Sequence, residues 1–210
     1  MRTLLKKTNL LFIIVLLTNI TMQSQELYLS SGLNLTTYSF KGTDNLPLEL
    51  NSKASQFYEL GYTIKRMEDR LCYGVGLAIN SFDATGGDSA NHYEWETTYM
   101  GLNNHLLYVI LPSERNPIEL SGGIQMQLMH ILNGEQKING EQFDLTKETE
   151  FTGFWIQPGV IITTKYSVSD YWQLSLGYNY SASINLSNST EEKLKFNNQQ
   201  IRLGIHFNIK

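Results

Sequence analysis

The chain has 210 residues with 16 basic and 20 acidic side chains, an acidic balance that excludes a nucleic-acid partner. Its one cysteine, Cys72, excludes an internal disulfide. A mean hydropathy of −0.24 would not by itself flag a membrane protein.

Arg2, Lys6 and Lys7 precede an apolar run, Leu10–Ile20, and the small residue Ser24 follows. That layout predicts a signal peptide over 1–24 and leaves 25–210 as a single domain. The run is about half of the roughly 20 apolar residues a membrane-spanning helix needs. Removing it takes three basic residues and no acidic one, for a net charge near −7.

From there the period is two. Leu27–Tyr38 places Leu27, Leu29, Leu33 and Leu35 on one face and Tyr28, Ser30, Gly32 and Asn34 on the other. A polar loop is expected over 41–54. Tyr58–Ile64 and Leu71–Ile79 alternate in the same way across residues 67–70, a connection short enough for an antiparallel hairpin and too short for a parallel crossover. Residues 83–92, with Gly86-Gly87, read as a second loop. Tyr93–Ile110 alternates through Tyr93, Trp95, Thr97 and Tyr99; a bulge at Gly101 is expected to restore the apolar phase on Leu102, Leu106, Tyr108 and Ile110, with Asn104 on the same face.

Ile118–Leu132 sets Ile118, Leu120, Ile124, Met126 and Leu128 against Glu119, Ser121, Gly123, Gln125 and Gln127, and a loop is expected over 133–148. Phe151–Tyr166 carries Pro158 in mid-run, which predicts a local defect in the ladder. Trp172–Ile184, a polar loop over 185–197 and Gln200–Lys210 complete the chain. The result is all-β: eight antiparallel strands, with short turns (67–70, 111–117, 167–170) at one end and long loops at the other. That is the connectivity of an up-and-down barrel.

Glycine says which face is inside. Gly32, Gly61, Gly74, Gly76, Gly123, Gly159, Gly177 and Gly204 all fall on the polar face. A water-exposed strand face gains nothing from glycine, whereas the crowded lumen of a narrow barrel needs small residues. A soluble lipocalin-like ligand-binding barrel would bury the apolar face instead. Tyr58, Tyr93, Trp95, Tyr166 and Trp172, near strand ends on the apolar face, suit a water–lipid interface. These features favour an eight-stranded transmembrane β-barrel whose apolar face meets lipid.

Signal segment, amphipathic strands, short turns and a terminal apolar strand together resemble the small outer-membrane β-barrel proteins of the OmpX/PorT-like type, the outer membrane protein beta-barrel domain family. The resemblance covers about 25–210. It implies a place in the outer membrane, contact with outer-membrane lipid, and loops 41–54, 83–92, 133–148 and 185–197 facing the exterior, where an extracellular ligand or protein could bind. Such proteins usually end in an aromatic residue, and here Phe207 stands before Asn208-Ile209-Lys210.

No catalytic, cofactor or metal motif accompanies this pattern. His92, His105, His130 and His206 lack metal-ligand spacing, and Cys72 reads as a small filler. The one enzyme reading, a rim site near His92, Glu94 and Glu96, rests on residues any such loop would supply, so no enzyme and no cofactor are expected. The inward charges Glu59, Lys65, Glu119, Lys165 and Arg202 must pair if buried, which predicts a polar network in the lumen. Glu119 and Lys165 are expected at similar heights. The leading expectation is a filled barrel with a structural or surface-interaction role. The alternative is a narrow pore or a transport- or secretion-associated barrel.

Overall fold

The computed structural model describes residues 25–41, 47–66, 70–87, 92–113, 116–138, 140–187 and 193–209. The expected signal peptide, 1–24, lies outside them. The strands are β1 (Gln25–Lys41), β2 (Pro47–Arg66), β3 (Leu71–Gly87), β4 (His92–Leu111), β5 (Ile118–Ile138), β6 (Glu141–Asp144), β7 (Phe154–Ser167), β8 (Trp172–Asn185) and β9 (Lys193–Ile209), with one 3-10 turn, Leu145–Lys147. Eight of them close a ring in the order β1-β2-β3-β4-β5-β7-β8-β9, and β9 pairs back to β1. Every pairing is antiparallel, so no edge of the ring is left open. β6 stands outside the ring and pairs only with the end of β5, across a turn in which Gly140 adopts φ +92°.

Two arms of alternation explain the closed shape. Leu29, Leu60, Leu77, Leu102, Ile124, Val160, Leu176 and Leu203 point out, and several keep more than half of their surface exposed. Their strand neighbours point in and are buried. A continuous exposed apolar wall of this kind is incompatible with water and suits lipid.

The strands run longer than expected. A barrel strand crosses the hydrocarbon in about 9–11 residues, yet β1 and β3 have 17 residues and β5 has 21. Three of the four expected loops are therefore mostly strand. Of 41–54, only residues 42–46 separate β1 from β2; of 83–92, only 88–91 lie between β3 and β4. The 133–148 loop is instead the end of β5, β6 and the 3-10 turn, and 185–197 shrinks to residues 186–192.

The extra length has its own chemistry. On β3 the outward residues Leu71 to Ile79 give way to Ser81, Asp83 and Thr85, while the inward ones change from Gly74, Gly76 and Ala78 to Phe82 and Ala84. On β4, Met100 is the last apolar outward residue before Thr98, Glu96 and Glu94. β1 and β9 follow, with Thr37, Ser39, Asn197 and Gln199 outside and Tyr38, Leu194 and Phe196 inside. On this side the barrel passes from apolar-out to polar-out with no change of phase. The β7–β8 wall differs: it stays apolar outside up to Phe154, Ile184 and Leu186.

This inversion overturns two expectations. No bulge exists at Gly101, which sits in unbroken register opposite Ala78 and Met129. The extra residue is Leu132 on the facing strand, since Thr98 pairs with Asn133 and Tyr99 with Ile131. Trp95 is buried inside the barrel and Tyr93 packs against the same inner cluster, so neither belongs to an interfacial girdle. Tyr58, Tyr166 and Trp172 do face outward. The defect expected at Pro158 is present. Its β5 side pairs normally with Met126, but the β8 ladder skips from Ile156↔Ile184 to Gly159↔Ser181 without a register change. Proline has no N–H to donate there, and Gln157 Nε2 bridges to Ser183 Oγ at 2.9 Å instead.

Candidate functional site: the barrel lumen

The inward side chains sort into three layers. At the loop end lie Tyr38, Phe82, Trp95, Tyr99, Trp155 and Phe196, with Met129, Ile131, Leu145 and Phe151 around them. Their rings meet at centroid distances of 4.9–6.2 Å, mostly tilted or edge-on, the arrangement aromatic quadrupoles prefer. The Tyr38 hydroxyl contacts Thr97 Oγ1 at 3.0 Å, so the polar tip is not stranded.

Below is a layer of amides. Gln200 Nε2 donates to Asn34 Oδ1 and Asn80 Oδ1, Asn198 Nδ2 donates to Asn34 Oδ1, and Asn34 Nδ2 donates to the carbonyl of Ser81.

The charged layer lies toward the short-turn end. Glu59 accepts from Tyr28 Oη at 2.6 Å, from Asn103 Nδ2 at 3.1 and 3.0 Å, and from Arg202 Nη2 at 2.9 Å. The guanidinium also lies over the Phe57 ring, 5.0 Å from its centroid. Lys65 Nζ reaches Glu119 Oε2 at 3.1 Å. Lys165 Nζ reaches Glu26 Oε1 at 2.5 Å, and His206 Nδ1 meets the same oxygen at 2.5 Å. Glu119 and Lys165 are register partners, as their expected heights require, but each turns to a different ion.

All five expected charges thus lie inside the barrel. Glu26, where Lys65, Lys165 and the His206 imidazole meet, escapes the sequence reading because that reading begins the first strand at Leu27. Extending that alternation back by one residue places Glu26 in phase with Tyr28. Glycines make this layer possible. A Cβ on Gly61 would fall 2.3 Å from the Tyr28 ring, and one on Gly74 would fall 2.1 Å from His105 Nε2.

A cavity of about 40 Å³ opens among these groups, lined by Tyr28, Ser30, His105, Lys165, Ser175 and His206 among others. Cys72 packs with Leu107, Val109 and Ile161 beside it.

The rim carboxylates are already engaged. On the outer wall above the apolar belt, Glu94 and Glu96 pair with Lys53, and Lys137 pairs with Glu96 at 2.8 Å. These lysines hold the Glu96 carboxyl below its usual range, Lys137 contributing most. Burial pushes neighbouring Asp83 the other way, up to about 6, despite the nearby Lys53 charge. His130 lies on the outer face against Phe154. Among the described residues no group of three or more potential ligands could hold a metal ion, and no helix is long and apolar enough to cross a membrane, which says nothing of strands.

The sequence matches the family described as outer membrane protein beta-barrel domain over residues 10–207. The chain belongs to this family. As a member it is an outer-membrane β-barrel, and a soluble lipocalin-like barrel is ruled out by the match together with the apolar outer wall. Its fold is similar to that of Neisserial surface protein A, with 12% identity, a TM-score of 0.52 and coverage of 86% of this chain and 96% of that one. It is equally similar to the outer membrane protein OprG from Pseudomonas aeruginosa: 9% identity, TM-score 0.52, coverage of 89% and 97%. At these identities the likeness concerns the fold alone. No curated protein matches the sequence.

Proposed function

We propose that this outer-membrane barrel acts through its exterior surface, in a structural or surface-interaction role, with a lumen filled by side chains. The observation that carries this reading is the aromatic layer at the loop end, whose rings leave no polar lining for a solute to follow. The charged layer supports it: each buried carboxylate there is paired to a cation, so none is free to conduct. Eight strands leave an interior just wide enough for side chains, which disfavours the narrow pore. The strands that rise past the apolar belt present a polar wall and the β5–β6 hairpin to the outside, and these are the surfaces on which a ligand or protein would bind.

Two measurements test this. In planar bilayers the purified barrel should give no stable conductance step, and a large, steady open channel would overturn the filled lumen. An epitope tag near Gly140 should be reached by antibody on intact cells and one near Ser113 should not; labelling of the Ser113 tag alone would invert the orientation and remove the surface role.

A further inference from the structure

Ser175, Gly204 and Ser30 stand side by side across β8, β9 and β1 as ladder neighbours. A Cβ on Gly204 would lie 2.4 Å from Ser175 Oγ, 2.9 Å from Ser30 Oγ and 3.0 Å from His206 Nε2, so three polar groups crowd a position that only glycine fits. His206 Nε2 lies 2.7 Å from Ser175 Oγ, and its Nδ1 lies 2.5 Å from Glu26 Oε1. Tyr28 stacks on the imidazole with ring centroids 5.7 Å apart and an interplanar angle of 30°, fixing its plane. A carboxylate at Nδ1 holds a proton there and leaves Nε2 as the acceptor facing the hydroxyl. This is the hydrogen-bond order of a serine nucleophile, its base and the group that orients the base, and the serine and histidine both line the lumen cavity.

We propose that Ser175 is an activated nucleophile that accepts the acyl group of small, short-chain esters reaching this cavity from the short-turn end, away from the aromatic layer, with His206 as its base and Glu26 as a positioning residue. Ser175 Oγ attacks the ester carbonyl carbon as its proton passes to His206 Nε2. The new Oγ–C bond forms, the bond to the alcohol oxygen breaks, and His206 returns the proton to the departing alkoxide. Water, deprotonated by His206, then attacks the acyl carbon; the Oγ–C bond breaks, His206 returns the proton to Ser175 Oγ, and the acid is released. Lys165 and Arg202 line the same cavity and supply positive charge where the oxyanion develops. The small cavity restricts the donor to one or two carbons on the acyl side. This activity is separate from the surface role and does not depend on it.

The probe is methanesulfonyl fluoride, small enough for the cavity. Oγ attacks its sulfur, the S–F bond breaks, fluoride leaves and His206 takes the proton. Incubation with the folded barrel in detergent, followed by peptide mass mapping, should place one adduct per chain on Ser175. Labelling should vanish in Ser175→Ala and slow by about 100-fold in His206→Gln. Gly204→Ala should slow it by displacing Ser175 Oγ from His206 Nε2. Glu26→Gln should slow labelling yet reach the same final stoichiometry, whereas a purely structural role would lower the fraction labelled. Wild-type chain unfolded in urea supplies the reference that no variant has to fold to provide: there Ser175 should label no faster than the other serines. A folded barrel whose Ser175 labels no faster than in urea, or as fast in His206→Gln as in wild type, overturns the proposal. The same preparation should hydrolyse p-nitrophenyl acetate only with Ser175 present.

Discussion

At the scale of single residues, the lumen is governed by the cost of burying charge. Glu59 is 2% exposed and its charge is met by Arg202. Arg202→Leu leaves that carboxylate uncompensated and should lower stability by about 3–5 kcal/mol, read as a lower urea midpoint in the heat-modifiable gel shift. The double change Glu59→Gln with Arg202→Leu should recover most of the loss, because no bare charge then remains. Asp83, on the outer wall above the belt, makes an opposite case. Burial raises its carboxyl from 3.8 to about 6, so between those values the folded chain binds the proton the unfolded chain has lost. Stability then falls as pH rises through that window. Asp83→Asn should flatten this dependence and stabilise the barrel at pH 7 by roughly 1 kcal/mol, a figure reduced for the half-exposed, solvent-screened site. Unfolding midpoints at pH 4 and pH 7 check both the sign and the size.

At the scale of the strand, one unbroken alternation serves two solvents. β3 and β4 carry apolar residues outward where lipid surrounds them and inward where water does, so their upper parts enclose a core like that of a soluble barrel. The three tryptophans report this division. Trp95 and Trp155 are buried inside, while Trp172 is half exposed on the outer wall. In vesicles with brominated acyl chains, fluorescence quenching should come almost wholly from Trp172 and disappear in Trp172→Phe. Persistence of the quenching in that variant would mean that β4 or β7 turns its rings to lipid. Trp155→Ala should cost about 3–5 kcal/mol, as cavity formation in a packed cluster does, and the same change at outward Thr98 should cost less than about 0.5 kcal/mol.

At the scale of the whole molecule, closure and lipid act together. Each ring strand is paired on both sides, and the apolar wall is satisfied only by hydrocarbon or detergent. The folded barrel should therefore resist dodecyl sulfate at room temperature, migrate differently after boiling, and fractionate with outer membrane; recovery as a soluble monomer without detergent would contradict the lipid-facing wall.

Period-two alternation, glycine on one face and the placing of short connections were sufficient, from sequence, for an eight-stranded barrel, its inside face and its family resemblance. Those features are local, and a strand's two faces are set by the geometry of consecutive residues. The inward position of Glu59, Lys65, Glu119, Lys165 and Arg202 followed from the same periodicity. Only the tertiary structure decided which charge meets which, because Glu26 and Lys165 are brought together by ring closure and pairing across the lumen, 139 residues apart in sequence. It also decided where lipid ends. Trp95 and Leu102 look alike as apolar residues, and a strand that changes solvent without changing phase reads in sequence as a strand with a bulge. The meeting of Ser175, His206 and Glu26 has in part the same origin: the β8–β9 hairpin brings Ser175 to His206, and Glu26 joins them only when β9 closes on β1.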